Sequence, residues 1–471
     1  MAAFTLEKMA QGGIYDHVGG GFHRYSTDDR WLVPHFEKML YDNALLALDY
    51  LEAYQATGRE EFAKVAREIL RYVERDMTAP EGAFYSATDA DSLSPAGKRE
   101  EGWFFTWTSA EIEAVLDKDH ARLINAYYGL SAQGNFEGRN VLHAPRPLAT
   151  VASEIGLPPE TTIPMLEKSR ELLYVARSRR PAPLRDEKIL TAWNGLMISA
   201  HARAALVLGD ERYARRAERA TNFLLQNLRR DGRLLRSYKD RKARHSAYLD
   251  DYAFLTAGLL DLYEATGNLR WLKEALALDA VMEKHYEDVR QGGFFLTSDD
   301  HEQLLGREKP SYDGAEPSGN SVAVLNLLRL YEFTTQDRYR RRAERALKAF
   351  GDILTNSPAS LSEMLLAVDF HLDRPKEIVI VTPNSRREAE PLLARLRAEF
   401  VPNKILIVVS QGPELATHAK VVPLVESKVA QKLKATAYVC EQRVCELPTS
   451  DPDVFARQIR KTHPLAASSG P

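Results

Sequence analysis

An internal repeat of helical hairpins is the feature that most constrains the fold of this 471-residue chain. The string LEAYQATG at residues 51–58 recurs as LDLYEATG at 260–267, and a looser copy, LYEFTT, stands at 330–335. Apolar residues spaced by three and four precede each copy, and a second stretch with helical periodicity follows the break. Each unit therefore predicts two antiparallel helices joined by a short turn, most clearly at about residues 40–77, 191–229, 248–287 and 319–356.

The connections between these hairpins carry a second repeat. GGFHRYSTDD at 20–29 resembles GGFFLTSDD at 292–300, and glycine followed by aromatic and β-branched residues predicts short extended arms. A ring of such hairpins predicts a mainly α (α/α)6 toroid over residues 1–374, with a less regular helical region at 109–180. The first helix, at about residues 2–11, has no preceding partner, so we expect the toroid to lack its opening helix.

The pattern changes after residue 374. Short β-branched runs at 377–381 and 405–409 flank a helix-like stretch at 385–399, and a further strand follows at 437–440. Residues 375–471 therefore predict a small C-terminal α/β region. This region has no glycine-rich phosphate loop, so we expect no nucleotide site there.

Composition excludes several classes of protein. The 63 basic and 66 acidic residues give a net charge of −3, which does not favour a nucleic-acid partner, and no apolar run is long enough to span a membrane. Two cysteines argue against a disulfide framework, and we interpret Cys440 and Cys445 as two reduced structural thiols. We expect a soluble, cytoplasmic protein with no cofactor.

Polar and aromatic residues gather where the long connections enter the predicted inner helices. Aromatic faces beside carboxylates and amides suit a sugar-like ligand, although each carboxylate or amide could instead cap a helix. The predicted ligand-binding residues are His23, Trp31, Tyr41, Asp42, Asn43, Asp89, Trp193, Asn194, Asp250, Tyr252, Asp313, Glu316 and Asn320.

Four residues are candidates for catalysis. His35 or His301 could move a proton at carbon 2 of an open-chain sugar, or Asp251 and Glu37 could act as acid and base in glycoside hydrolysis. For each histidine a structural hydrogen-bonding role is the alternative. Neither 35–37 nor 300–302 has the spacing of a helical H-E-x-x-H site, so we predict no metal site.

Long stretches of the chain resemble the spermatogenesis-associated protein 20-like family. They are GGIYDHVGGGFHRYS at 12–26, WLVPHFEKMLYDN at 31–43, FYSATDADS at 84–92, KILTAWNGLM at 188–197, YDGAEPSGNS at 312–321 and ATAYVC at 435–440. The resemblance implies a six-hairpin glycosidase-like barrel similar to the N-acylglucosamine and cellobiose 2-epimerases. Family members also carry an N-terminal thioredoxin-like domain, and we expect this chain to correspond to the barrel part without that domain.

Two functions follow as expectations. The first is a carbohydrate-active enzyme, either a sugar 2-epimerase or isomerase or a glycoside hydrolase, with the sugar against Trp31, Trp193 and Tyr252. The second is a non-catalytic ligand-binding or scaffold barrel that works with a thioredoxin-like domain or chain. Fold similarity alone does not decide between them.

Overall fold

The computed structural model describes residues 1–302 and 305–462, and the described chain is mainly α-helical. It packs as two compact units. Unit 1 comprises residues 1–53, 60–79 and 84–188, and unit 2 comprises the remainder. Within the described residues, every helix is too short or too polar to cross a membrane.

Unit 1 combines helices with short two- and three-residue strands. In chain order its elements are α1 (Ala2–Gln11), β1 (Tyr25–Ser26), β2 (Pro34–His35), β3 (Lys38–Met39), α2 (Leu40–Thr57), α3 (Glu60–Asp76), β4 (Ala87–Thr88), β5 (Asp91–Leu93), β6 (Arg99–Glu101), α4 (Ser109–Val115), α5 (Lys118–Tyr127), α6 (Leu148–Glu154), α7 (Pro159–Arg177) and β7 (Arg185–Asp186). Strands β3, β4 and β7 form one antiparallel sheet, and β1–β2 and β5–β6 form two-stranded ribbons. Helices α4 to α7 enclose an apolar core of their own.

Unit 2 begins with helical hairpins and ends with an α/β segment. Its elements are β8 (Ile189–Leu190), α8 (Thr191–Leu208), α9 (Glu211–Asn227), β9 (Arg229–Arg230), β10 (Arg233–Lys239), β11 (Lys242–Ser246), α10 (Leu249–Thr266), α11 (Leu269–His285), α12 (Gly319–Thr334), α13 (Asp337–Ala349), α14 (Gly351–Asn356), α15 (Ser362–Leu372), β12 (Lys376–Thr382), α16 (Glu390–Arg397), β13 (Lys404–Ser410), α17 (Pro413–Ala419), β14 (Thr436–Glu441), β15 (Val444–Cys445) and α18 (Pro452–Ile459).

The hairpins predicted at 191–229, 248–287 and 319–356 are confirmed as α8/α9, α10/α11 and α12/α13. The first helix of each pair packs against that of the next, so α10 lies between α8 and α12. Helices α8 and α10 approach so closely that glycine is required. A Cβ at Gly195 would lie 2.6 Å from the backbone of Leu255, and one at Gly258 would lie 2.7 Å from the Gly195 carbonyl. The closed (α/α)6 toroid stays a prediction, as does the domain boundary at residue 374.

In the C-terminal α/β segment, the strands predicted at 377–381, 405–409 and 437–440 are confirmed as β12, β13 and β14. Its sheet has the order β13–β12–β14–β15, with β12 and β13 parallel and the other pairs antiparallel. Helices α16 and α18 cover an apolar core built on Ile378, Leu406 and Val439, and Leu206 of α8 packs against the same core.

The prediction of two reduced thiols is wrong. Cys440 and Cys445 face each other across the β14–β15 hairpin and are joined by a disulfide, with their Cα atoms 3.9 Å apart. The spacing makes this possible, because a two-residue turn at 442–443 places positions 440 and 445 opposite each other. Both turn residues have the left-handed backbone of a tight hairpin, with φ values of 50° and 67°.

The first repeated connection is an extended arm pinned to the start of α2. Asn43 accepts the Phe22 N–H at 2.8 Å and donates to the Phe22 carbonyl at 3.0 Å. Lys38 Nζ lies 2.8 Å from both Asp16 Oδ2 and the Gly20 carbonyl. Asn43 and Lys38 are thus buried anchors of the arm.

The second copy, in unit 2, uses the same contacts. Asn320 accepts the Phe294 N–H at 2.7 Å and donates to the Phe294 and Pro310 carbonyls at 2.9 and 3.0 Å. Lys309 Nζ lies 2.7 Å from Asp288 Oδ2 and 2.9 Å from the carbonyl of residue 292. The repeat in the sequence is therefore a repeat of one hydrogen-bond arrangement.

Replacement of Asn320 by alanine tests this anchor. The Asn320→Ala variant leaves the two buried backbone groups of Phe294 and the half-buried Pro310 carbonyl without this partner. Because each unsatisfied buried group costs about 1–3 kcal/mol, we expect the free energy of unfolding to fall by about 3 kcal/mol or more. Urea denaturation followed by circular dichroism measures it. Asn356→Ala, at an exposed position at the end of α14, is the matched control; equal loss in the two variants would contradict the anchoring role.

Candidate functional site

In unit 2, the ends of three connections meet in a group of residues that we call the acidic cluster: Trp193, Arg236, Asp250, Asp251 and Glu316. Trp193 lies in the first turn of α8, and Asp250 and Asp251 lie in the first turn of α10. Arg236 comes from β10, and Glu316 from the connection that enters α12. All lie at or beside the starts of α8, α10 and α12.

Asp251 is the fully buried member of the acidic cluster. Its Oδ1 accepts the Ala192 N–H at 2.9 Å, and its Oδ2 accepts the Tyr248 N–H at 2.8 Å and lies 3.3 Å from Arg236 Nη1. It therefore ties the start of α8 to the start of α10. Burial raises the pKa of Asp251 to about 7, opposed by the Arg236 charge and by the two N–H donors.

Asp250 and Glu316 are the half-buried carboxyls of the cluster. Burial raises the pKa of Asp250, while the Arg236 charge and the Gly319 N–H oppose the rise. Burial also raises the pKa of Glu316, with a contribution from the Asp250 charge, whereas a hydrogen bond from Trp193 opposes it. That bond joins Trp193 Nε1 to Glu316 Oε2 at 2.7 Å. The cluster thus holds two accessible carboxyls with raised pKa beside an indole.

A stack of side chains extends the acidic cluster. The Arg236 guanidinium lies 4.7 Å from the centre of the Tyr248 ring, and the His301 ring stacks on Tyr248 at 5.6 Å. His301 Nδ1 accepts the Ser298 N–H at 3.0 Å, and its Nε2 is buried without a hydrogen-bond partner among the described residues. His301 therefore lies next to the cluster but does not contact its carboxyls through a described bond.

In unit 1, a second group forms around His35, and we call Arg24, Tyr25, His35, Glu37 and Glu101 the histidine cluster. His35 Nδ1 lies 2.7 Å from Glu101 Oε1, and His35 Nε2 lies 3.3 Å from Glu37 Oε2. Glu37 also pairs with Arg24 at 3.0 Å, and the His35 ring stacks on Tyr25 at 5.1 Å. An imidazole held between two carboxylates can accept and return a proton.

Many of the predicted ligand-binding residues are buried and bind the protein's own groups. They are His23 (to the Phe36 carbonyl), Tyr41 (to Arg24), Asn43 (to Phe22), Asn194 (to the Leu190 carbonyl), Tyr252 (to the Leu234 N–H), Asp313 (to Ser318, Ser321, Glu363 and Met364) and Asn320 (to Phe294). For His23, burial lowers the pKa to about 3, so its ring is neutral. These contacts are the helix-capping and structural hydrogen-bonding roles that the sequence left open as alternatives to ligand binding.

The other predicted ligand-binding residues remain partly accessible. Trp193, Asp250 and Glu316 come together in the acidic cluster. Trp31 has a left-handed backbone with φ of 62°, Asp42 lies in the first turn of α2, and Asp89 pairs with Arg99 at 2.7 Å. The ligand-binding role of these residues stays a prediction.

Sequence reasoning missed Arg236, Tyr248 and Glu101. Tyr248 immediately precedes the Leu249–Asp251 segment, so its position at a helix entry was a usable signal. Arg236 and Glu101 lie on strands of the extended arms, where nothing in the local sequence indicates which loop residue will reach a helix start.

One group among the described residues has the composition of a metal site. His285, Asp299 and Asp300 bring a ligand atom each within 4.8 Å of one another. However, both Asp300 oxygens lie 3.0 Å from the Arg233 guanidinium, which holds the pKa of Asp300 well below its usual range. Arg233 therefore already pairs with the Asp300 carboxylate, which a bound cation would need as a ligand.

The raised pKa of Asp251 predicts a pH effect on stability. Asp251 keeps its proton in the folded chain up to about pH 7, whereas an unfolded aspartate loses it near pH ~4. The folded chain therefore holds an extra proton between these values, and this residue's contribution makes the free energy of unfolding fall as the pH rises through that window.

We expect Asp251→Asn to flatten the dependence of unfolding free energy on pH between about 4 and about 7, beside any uniform loss of stability. Urea denaturation at several pH values measures it, with the exposed Asp240→Asn as the control. The same slope in wild type and Asp251→Asn would show that Asp251 does not carry the proton.

Comparison with known proteins finds sequence relatives that match nearly the whole chain. It is 38% identical to human spermatogenesis-associated protein 20 and 37% identical to the mouse protein, in each case over 96% of this chain and 61% of the relative. The chain thus spans about three fifths of the length of these curated relatives. No family model matches it.

Solved structures give more distant matches. A D-mannose isomerase is 14% identical with a TM-score of 0.37, covering 74% of this chain and 86% of that one. A cellobiose 2-epimerase from Bacillus thermoamylovorans is 11% identical with a TM-score of 0.35, covering 73% and 82%. The sequence relatives match nearly the whole of this chain, which is therefore similar to about three fifths of a spermatogenesis-associated protein 20.

Proposed function

We propose that this chain is a carbohydrate-active enzyme and that the acidic cluster is its reacting centre. The observation that carries the proposal is the pair of half-buried carboxyls Asp250 and Glu316. Both have raised pKa values, the Asp250 charge acts on Glu316, and Glu316 is bonded to the indole of Trp193. Two carboxyls with an aromatic platform are the groups that glycoside hydrolysis uses.

Glu316 is the proposed general acid. Burial and the nearby Asp250 charge favour its protonated form, which a donor to a leaving oxygen requires. Trp193 Nε1–H donates to Oε2 and so fixes the carboxyl orientation, which assigns the acidic proton to Oε1. The face of the Trp193 indole offers an apolar surface to the C–H side of a sugar ring.

Asp250 is the proposed base. As the glycosidic bond breaks, the leaving oxygen takes the proton of Glu316, and Asp250 accepts a proton from the water that attacks the anomeric carbon. The Arg236 charge favours the ionised form of Asp250, as a base needs. Asp251 has both oxygens bound to backbone N–H groups, so we assign it a positioning role instead of the acid–base role that the sequence suggested.

The histidine cluster supports a second candidate, a sugar isomerase or epimerase. The observation that favours it is His35, whose two ring nitrogens each face a carboxylate, Glu101 and Glu37. Such a histidine could remove a proton next to an open-chain carbonyl and return it. The two candidates differ in product, because hydrolysis cleaves a glycosidic bond and isomerisation conserves the mass of the sugar.

Glu316→Gln tests the proposal directly. The amide keeps the size of the side chain but cannot donate the acidic proton, so we expect turnover to fall by about 10²- to 10⁴-fold while sugar binding is retained. Proton NMR of the purified chain with a panel of disaccharides, aldoses and ketoses follows both reactions. Glu113→Gln, at an exposed position of α4, is the matched control.

Each outcome separates the hypotheses. Hydrolysis that is lost in Glu316→Gln and kept in Glu113→Gln supports the proposal. Isomerisation that is lost in His35→Gln and kept in Glu316→Gln would favour the histidine cluster. A well-folded chain that binds no sugar of the panel would contradict both enzymes and favour the scaffold that works with a thioredoxin-like partner.

A further inference from the structure

The β14–β15 hairpin joins two features that the proposed enzyme does not use, a disulfide and a contact to α12. Cys440 is 2% exposed and lies in β14 between β12 and β15, whereas Cys445 lies at the exposed end of the hairpin. The neighbouring Val444 is 77% exposed. Cys445 is therefore the partner of the disulfide that faces solution, and Cys440 is the partner buried in the sheet.

The turn of the hairpin holds the end of α12. Arg443 donates through Nη2 to the Tyr331 hydroxyl at 3.1 Å and to the Thr335 carbonyl at 3.5 Å, and its guanidinium lies over the Tyr331 ring. Its backbone N–H donates to Glu377 Oε2 at 3.2 Å. Arg443 therefore connects the hairpin to α12 and to β12.

A pair of carboxyl groups lies next to Arg443. Glu377 of β12 and Glu332 of α12 share a side-chain hydrogen bond, and burial raises the pKa of both groups. The charged groups that act on the pair are Arg443, Arg340 and Lys428, all of which favour the ionised carboxyls. Loss of Arg443 from the pair would make the two carboxyls hold their shared proton more tightly.

One residue separates each cysteine of the disulfide from the turn at residues 442 and 443. The turn residues 442 and 443 both have left-handed backbone, which is unfavourable for a non-glycine residue. Beyond β15 the chain stays paired with β14, since Glu446 donates to the Val439 carbonyl and residues 437 and 449 exchange both backbone bonds. Cleavage of the disulfide would thus free the turn without separating the strands.

We propose that the Cys440–Cys445 disulfide is a redox-active site that exchanges with dithiols through the exposed Cys445 sulfur, and that its state controls how Arg443 holds α12. A thiolate of the dithiol attacks Sγ of Cys445, the S–S bond breaks, and its electron pair leaves on Cys440, which takes a proton. The second thiol of the dithiol then displaces Cys445. The dithiol becomes a disulfide, and the two cysteines gain two electrons and two protons.

A redox titration of the whole chain tests the site. The native chain is equilibrated with mixtures of reduced and oxidised dithiothreitol, trapped with N-ethylmaleimide and weighed by mass spectrometry. The chain has two cysteines, so the number of alkylations reports this disulfide alone. We expect a reversible change from none to two alkylations with unchanged helical circular dichroism. Reduction that occurs only when the chain unfolds, or free thiols at every ratio, would overturn the proposal.

Single variants test the route of exchange. We expect Cys445 in Cys440→Ser to form a mixed disulfide with glutathione disulfide at least about tenfold faster than Cys440 in Cys445→Ser, because only Cys445 is exposed. Equal rates, or faster reaction at Cys440, would contradict attack at Cys445.

Hydrogen exchange tests the coupling to α12. Reduction of the wild-type chain should speed amide exchange at residues 331–335, and Arg443→Ala should do the same in the oxidised chain without blocking reduction. Exchange at 331–335 that is the same in both redox states would show that the disulfide does not control the Arg443 contact.

Discussion

The acidic cluster depends on one buried carboxylate. Asp251 accepts N–H groups from Ala192 and Tyr248, which belong to the starts of two different helices. These bonds fix α8 and α10 where their first turns carry Trp193 and Asp250, so the cluster geometry follows from a residue that no ligand can reach. Burial of this carboxyl is costly and raises its pKa, and the N–H groups that helix starts leave unpaired offset part of that cost.

The same principle recurs along the chain. Asn43 and Asn320 each hold the backbone of an extended arm, and Asp313 binds the starts of α12 and α15. Long connections in a helical protein need such anchors, because their backbone groups have no helix or broad sheet to pair with. The polar residues at the helix entries therefore divide into buried residues that hold the loops and accessible residues available for chemistry.

The fold was predictable to the extent that periodicity determines it. Hairpin repeats located the helices of unit 2, and β-branched runs located β12, β13 and β14. Periodicity could not separate Asp250 from Asp251, because both are acidic residues in one helical turn and only packing decides which one is buried. Nor could it find Arg236, which reaches the cluster from a strand, or the disulfide, which depends on a left-handed turn at 442–443.

We propose that a sugar binds at the acidic cluster with its glycosidic bond at Glu316. A crystal structure of Glu316→Gln with a disaccharide bound tests this most directly. We expect one sugar ring against the Trp193 indole, with the glycosidic oxygen within hydrogen-bond reach of the residue 316 side chain. A sugar bound away from Trp193, or one whose glycosidic oxygen lies beyond the reach of residue 316, would contradict it.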